Sequence, residues 1–288
     1  MMEVQTASKS RLGGLINSYY PSLTKSEQKV ASVVLEQMEK VLYYSVTDLA
    51  DVSEVGETTV LRFCRKIGLK GYQEFKLAIA KDLSSINHEK EHNKSDENKP
   101  ASLVASIANN TKNAIDETMN KLNQETLDGV IELLLKAKSI QFFGVGTSGL
   151  TALDAKNRFL RFGFRSDAVI DPHLQSMTAA TLGEEDVVIG LSVSGSTKDT
   201  IDSLKIAKEN GAKIIAITYY ARSPITKLAD MVMLSGGKES PLEGGSLAAK
   251  IAQLFVIDLL CTGLAVKQKE YSLSMKEKTA RAVIEKIY

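Results

Sequence analysis

Two turns rich in hydroxyls and glycine carry the groups in this chain best suited to holding an anion. One is Ser192-Val193-Ser194-Gly195-Ser196-Thr197, which follows the apolar run Val187–Leu191. The other is Gly144-Val145-Gly146-Thr147-Ser148-Gly149, which follows Ile140–Phe143. Each reads as a strand running into a turn, with a helix opening behind it. The first N–H groups of a helix have no intrahelical partner, and with nearby hydroxyls they can satisfy several phosphate oxygens. The candidate contacts are Thr147, Ser148, Ser192, Ser194, Gly195 and Thr197. Two such loops on one sheet suggest a single phosphorylated ligand held between them. The plainer alternative is that these hydroxyls only cap helices.

Gly144-x-Gly146-x-x-Gly149 also matches the dinucleotide fingerprint. That motif expects an acid closing the second strand about 20 residues on. Asp167 falls too early and Asp171 follows Ile170, so a small phosphorylated ligand is favoured over a nucleotide. His173, after Asp171-Pro172, offers a ligand contact or a general acid/base, or is simply a helix-start or interface residue. Glu243-Gly244-Gly245-Ser246 and Lys250 precede or open a long apolar helix, where they would close the cleft from above.

A second chemistry lies nearer the N-terminus. Ser45–Val52 reads as a short helix, Ser53-Glu54-Val55-Gly56 as a tight turn, and Glu57–Ile67 as a second helix stopped by Gly68. Two short helices across a tight turn form a helix-turn-helix. Residues 58–81 hold Arg62, Arg65, Lys66, Lys70, Lys76 and Lys81 against the single acid Glu74. The net charge of the whole chain is only +1, so affinity for DNA must come from this local cluster. Glu57, Thr58, Thr59 and Arg62 would point toward base edges. Arg65, Lys66 and Lys70 suit phosphates. Val60, Phe63, Cys64 and Ile67 form the inward face. A solvated basic face on a small protein-interaction bundle is the alternative.

The elements that position these groups fall into two domains. Residues 84–101 contain almost no apolar side chains and read as a flexible linker between a unit at 1–83 and one at 102–288. The first unit reads as all helix. Leu15, Ile16 and Tyr19 begin one apolar stripe, and hydroxyls at Ser22, Thr24 and Ser26 precede a helix carrying Val30, Val33, Val34 and Met38.

The second unit opens with helices at 102–122 and 126–138. It then alternates strands at 139–144, 166–170, 186–191, 213–218 and 231–234 with helices at 148–162, 174–182, 198–210 and 224–229. Helices at 246–266 and 275–287 finish the chain. Strands such as Ile214–Ile217 are apolar without alternation, which marks burial on both faces. The fold class is therefore α/β: a doubly wound parallel five-stranded sheet behind an all-helical helix-turn-helix domain. With strand order 2-1-3-4-5 the two loops flank the switch point.

No stretch approaches the roughly 20 consecutive apolar residues of a membrane span, and no signal pattern opens the chain. Cys64 and Cys261, far apart in apolar helical contexts, read as small buried hydrophobes. No Cys/His spacing suits a metal, and no cofactor is called for. Together these features favour a reducing cytoplasm.

The runs LTKSEQKVASVVLEQ and SVTDLADVSEVGETTVLRFCRKIGLKGYQEFKLAIA resemble the RpiR-type helix-turn-helix. The runs FGVGTSGLTALDAKNRFLRFG, DPHLQSMTAA, LSVSGSTKDTIDSLKIAKENGAKIIAIT, SPITKLAD and IAQLFVIDLL resemble a sugar isomerase (SIS) domain. The resemblance implies a bacterial transcription regulator of carbohydrate metabolism with a phosphosugar effector. It also implies a homodimer or homotetramer on a double-stranded operator. By position, Ser148, Ser192, Ser194 and Thr197 match the phosphate-contacting hydroxyls of SIS domains, and Thr59–Lys66 matches the recognition helix. Gly56 stands where that family usually has a serine N-cap. Ala249-Lys250 stands where Ser-Arg is frequent. The catalytic acid/base residues of sugar isomerases have no secure match, so the domain reads as a sensor. A phosphosugar isomerase or lyase with an N-terminal assembly module is the rival reading.

Overall fold

The computed structural model describes residues 10–92, 103–242 and 244–286. Two compact units emerge, an N-terminal helical one and a C-terminal one built on a sheet.

In the N-terminal unit, α1 (Arg11–Tyr19), α2 (Lys25–Val41), α3 (Val46–Val52), α4 (Glu57–Lys66) and α5 (Tyr72–His92) follow one another. Local chemistry sets the starts. Thr24 and Glu27 form a reciprocal capping box on α2, and Ser45 and Asp48 form another on α3. The Asp82 carboxylate of α5 accepts the Arg11 and Leu12 N–H groups at 3.0 and 2.8 Å, fixing the start of α1 from the far end of the unit. Ile16, Val30, Val34, Leu49, Val60, Phe63, Phe75 and Ile79 are fully buried, and the rings of Phe63 and Phe75 meet edge to face at 5.7 Å. Each such burial contributes about 1.5–3 kcal/mol. Of the expected stripe Leu15-Ile16-Tyr19 only Ile16 is buried; Leu12 takes the other inward place one turn earlier.

The expected linker starts too early. α5 runs on to His92, nine residues into it. Low apolar content bars a segment from building a core, but it does not stop a helix that is already nucleated from continuing. Residues 93–102 lie outside the described residues.

The C-terminal unit contains α6 (Leu103–Lys121), α7 (Gln124–Lys136), β1 (Ser139–Phe143), α8 (Gly146–Arg161), β2 (Ser166–Val169), α9 (Pro172–Ala179), β3 (Asp186–Leu191), α10 (Lys198–Glu209), β4 (Lys213–Thr218), β5 (Met231–Leu234), α11 (Leu247–Lys267) and α12 (Lys269–Arg281). All strand pairs are parallel, in the order β2-β1-β3-β4-β5. Val187, Ile189 and Leu191 of β3 enter the core beneath α7, α8 and α11, while Val188 enters the one beneath α10. That double burial is why the strands show no polar alternation.

Two further expectations fail. Residues 224–229 form turns, not a helix: Ser223 N–H bonds Thr226 Oγ1, and Ile225 N–H bonds Gly195 across to another loop. The last α-helix starts at Lys269 rather than 275, because Gln268 alone bends the chain (φ −120°, ψ 53°).

α11 also corrects the membrane expectation. It has 21 residues and a mean hydropathy of 1.7 over its most apolar window, so length and composition alone would let it span a bilayer. Its apolar runs are short, broken by Lys250, Gln253, Asp258 and Thr262, which is why a search for consecutive apolar residues passes over it. Here Val256, Ile257 and Leu260 are fully buried as part of the core under the sheet, and Ala252 is buried too. Cys64 and Cys261 are buried free thiols, and burial pushes both up to about 12.

Candidate functional site

β1 and β3 are adjacent parallel strands whose following helices start side by side at the carboxyl edge of the sheet, where the order reverses. The loop after β1 is held tight by glycine. A Cβ on Gly144 would lie 2.9 Å from the Ser148 backbone, and Gly146 has φ +58°. This puts Thr147 on the surface and Ser148 in a nearly buried position at the first turn of α8. The residue before α8 is Val145, which offers no capping side chain. Its first N–H groups are therefore left for another acceptor.

The loop after β3 is built the same way. Gly195 has φ +60°, and Ser223 Oγ lies 2.1 Å from where its Cβ would be. Segments after β4 pin the loop from behind: Tyr219 N–H and Thr218 Oγ1 donate to the Val193 carbonyl, and Ile225 N–H donates to that of Gly195. Ser192 is buried and its Oγ lies 2.9 Å from Thr197 Oγ1. Thr197 is the N-cap of α10 by position, yet its side chain makes no capping bond. Ser194 Oγ accepts the Ser196 N–H at 3.2 Å. The plain capping role for these hydroxyls therefore does not hold at α8 or α10. Ser10, Thr24, Ser45, Asn123 and Asp171 do cap their helices elsewhere in the chain.

The two loops hold no carboxylate between Gly144 and Gly149 or between Ser192 and Lys198. Hydroxyls, uncapped helix starts and the absence of acids make a cradle for an anion. Around it, Gly245 lies against Thr147, at 3.1 Å from its would-be Cβ to Thr147 Cγ2, so the segment entering α11 reaches the β1 loop. Lys250 is half-buried in the first turn of α11. Glu243 lies outside the described residues. His173 sits exposed at the start of α9, beyond the edge strand β2.

Sequence reasoning missed Gln175. It is fully buried, and its Nε2 donates to the carbonyls of Gly144 at 3.0 Å and Val169 at 2.7 Å, stitching the β1 loop to the end of β2. A glutamine one turn into a helix gives no sequence signal of such a role.

The second candidate surface lies on α4. Glu54, at φ +53°, makes the turn from α3, and Lys29 pairs with it at 2.9 Å. Thr58, Arg62, Arg65 and Lys70 face solvent. Thr59 does not: it is buried on the side that carries Val60, Phe63 and Cys64. The Glu57 carboxylate accepts a bond from the Thr47 hydroxyl of α3. Lys66 Nζ lies 3.1 Å from Glu27 of α2. Burial alone would raise the Glu27 carboxyl, but the Thr24 N–H and the Lys66 ammonium outweigh it and hold its pKa below the ordinary value. Lys76 is buried too, and burial lowers its ammonium to about 8 against the pull of Asp48. Arg62, Arg65, Lys70 and Lys81 therefore remain as the exposed cations of the expected six.

Residues 11–86 match the helix-turn-helix domain of the rpiR family, and residues 133–263 match the SIS domain. An uncharacterized HTH-type transcriptional regulator of Haemophilus influenzae is 42% identical over 274 residues, covering 94% of this chain and 95% of that one. The chain belongs to the RpiR family. Another relative is HexR of Pseudomonas aeruginosa, an HTH-type transcriptional regulator 31% identical over 253 residues, with 88% of each chain covered. Among solved structures, Vibrio vulnificus NanR in complex with ManNAc-6P superposes with a TM-score of 0.86 at 28% identity, covering 94% of this chain and 97% of that one. This RpiR-family member is accordingly an HTH-type transcriptional regulator with a SIS domain.

Proposed function

We propose that the protein regulates genes of sugar or amino-sugar metabolism by binding operator DNA through α4, under control of a phosphosugar held at the β1 and β3 loops. One observation carries the reading: two uncapped helix starts, ringed by hydroxyls, lie side by side at the sheet's switch point in a chain that also has a helix-turn-helix. The Vibrio vulnificus NanR structure, complexed with ManNAc-6P, supports a phosphosugar as the ligand class.

In this reading Ser148, Ser192, Ser194 and Thr197 offer hydroxyls to the phosphate. Thr147 closes its outer side, and Gly195 shapes the turn so that N–H groups point at it. His173 is a rim contact for the sugar. The loops supply no carboxylate as acid or base, and the catalytic residues of sugar isomerases have no secure match in the chain; the domain is read as a sensor of its ligand. On the DNA side, Arg62 reads a base edge, Thr58, Arg65 and Lys70 meet the backbone, and Glu57, Thr59 and Lys66 set the pose of α4. A homodimer or homotetramer in the cytoplasm would present two such helices to half-sites about one helical turn apart.

A thermal-shift screen against hexose, pentose and N-acetylated amino-sugar phosphates tests this, followed by operator titration with each stabiliser. At least one compound should raise the melting point by mass action and change operator affinity. Operator binding unaffected by the whole panel would refute the effector reading. Chemical turnover of a panel member would replace it with the isomerase reading.

A further inference from the structure

The effector loops are not isolated from the rest of their unit. Contacts from both converge on one face of α6, the first helix after the segment leading from the DNA-binding unit.

The first route begins at the β1 loop. Thr147 packs on Gly245, which leads into α11. The first turn of α11 rests on the loop after β5: a Cβ on Gly237 would lie 2.6 Å from Ala249 Cα, and that glycine has φ +77°. The adjoining Gly236 lies as close to α6, where a Cβ would come within 2.1 Å of the Ala114 carbonyl. Hydrogen bonds lock this contact. Gly236 N–H donates to Thr118 Oγ1 at 2.8 Å, and Gly237 N–H donates to Glu117 Oε2 at 3.1 Å. The pair Gly236-Gly237 is thus wedged between α6 and α11, with room for no side chain.

The second route begins at the β3 loop. The Val193 carbonyl accepts the Tyr219 N–H at 3.1 Å. Lys121 Nζ lies 3.5 Å from the centre of the Tyr219 ring, and the Tyr219 hydroxyl bonds Glu117. Lys121 closes the circle on Glu117 Oε1 at 2.9 Å. Neither Glu117 nor Lys121 belongs to the cradle itself, yet the β3 loop reaches them through Tyr219 and the β1 loop through the start of α11 and Gly236-Gly237. The upper half of α6 is by contrast exposed, with Leu103, Val104 and Ile107 in solvent. Its hold on the unit lies at Ala114–Lys121.

Resting on the effector reading above, we propose that the Glu117-Lys121-Tyr219 cluster, seated on Gly236-Gly237, is the coupling element that conveys occupancy of the phosphosugar cradle to α6 and so to the DNA-binding unit. A ligand that draws either loop inward shifts Tyr219 or the start of α11, and both movements change the seat of the same helix turn. Coupling of this kind requires an element with two arrangements that both sites bias.

The test uses the full-length protein, an operator selected by the wild type from random DNA, and the phosphosugar that changes its operator affinity most. Coupling is the ratio of operator Kd with and without saturating phosphosugar, about 5–150-fold for typical allosteric proteins. Lys121→Met and Glu117→Gln should each bring that ratio below about 3-fold. Calorimetric affinity of the free variants for the phosphosugar, and operator affinity without it, should stay within about 3-fold of wild type. Lys112→Met, on the exposed part of α6, should keep full coupling. Wild-type coupling in both cluster variants would overturn the proposal, and so would a tenfold or greater loss of phosphosugar affinity, which would make these residues ligand contacts. A wild type that answers to no phosphosugar fails earlier and takes the effector reading down as well.

Discussion

Gly195→Ala tests whether the β3 loop has the shape described. The backbone there sits at φ +60°, a left-handed conformation that costs a residue with a Cβ about 1–2 kcal/mol. The added methyl would also lie 2.1 Å from Ser223 Oγ, 2.7 Å from Ser223 Cβ and 3.0 Å from Thr218 Oγ1. Those neighbours cannot swing away freely, because Ser223 is fully buried and its N–H is bonded to Thr226. Overpacking of this kind typically adds about 1–3 kcal/mol. The two together give about 2–5 kcal/mol, or a fall of roughly 4–20 °C in the melting of a domain this size. Scanning calorimetry on wild type, Gly195→Ala, Ser223→Gly and the double variant separates the contributions, since neighbouring substitutions couple. The double variant should recover the steric part and retain the left-handed cost of about 1–2 kcal/mol. A single variant that melts with the wild type, or a double variant no better than Gly195→Ala, would refute the packing argument.

Other outcomes follow from the same geometry. Ser194→Ala should weaken phosphosugar binding by about 1.5–3 kcal/mol, the range for a hydrogen bond to a charged group; calorimetry giving wild-type affinity would reject that contact. Arg62→Ala should cost about 1–3 kcal/mol at the selected operator and relax one base preference, which a fluorescence titration over operator variants would read. With the four exposed cations of residues 58–81 on the DNA, log affinity should fall against log salt with a slope of roughly −3 to −4 per unit. Arg65→Met should lessen that slope by about 0.9, and Lys66→Met, whose ammonium is engaged by Glu27, should leave it unchanged. Lys76 supplies a pH test. Its folded value of about 8 lies below the ordinary lysine value of 10.5, so between those limits the unfolded chain holds a proton that the folded chain lacks, and stability rises with pH. Relative to Lys76→Met, the wild type should gain about 1 kcal/mol in denaturant melts between pH 7.5 and 9; parallel curves would show that this ammonium is not buried in solution.

The repeating order of apolar runs and turns made the sheet readable from sequence. A short run such as Val187–Leu191, apolar throughout and bounded by turns, is what a strand covered on both faces requires. Strand order then placed both hydroxyl loops correctly at the switch point. What escaped was decided between distant residues. Pro224–Ala229 has a fair helical pattern, but Ile225 N–H is taken by Gly195, about 30 residues earlier in the chain. Lys66 and Lys76 look like surface cations in any local window. Only the approach of Glu27 from α2, and the burial of Lys76 near Asp48 of α3, reveal that one is paired and the other enclosed. Gln175 was invisible for the same reason, as its partners are the backbone carbonyls of two strand ends. The early linker shows the opposite failure: local composition suggests disorder where a helix begun at Tyr72 simply continues.

The shielding of Cys64 and Cys261 has a practical sequel. With both sulfhydryls enclosed and held in their unreactive protonated form at neutral pH, maleimide dyes should find almost nothing to attack in the native chain. The unaltered protein is thus a silent background for spectroscopy. A reporter pair installed through new cysteines on α4 and α6 could follow distance changes in real time, with neither natural thiol needing removal first.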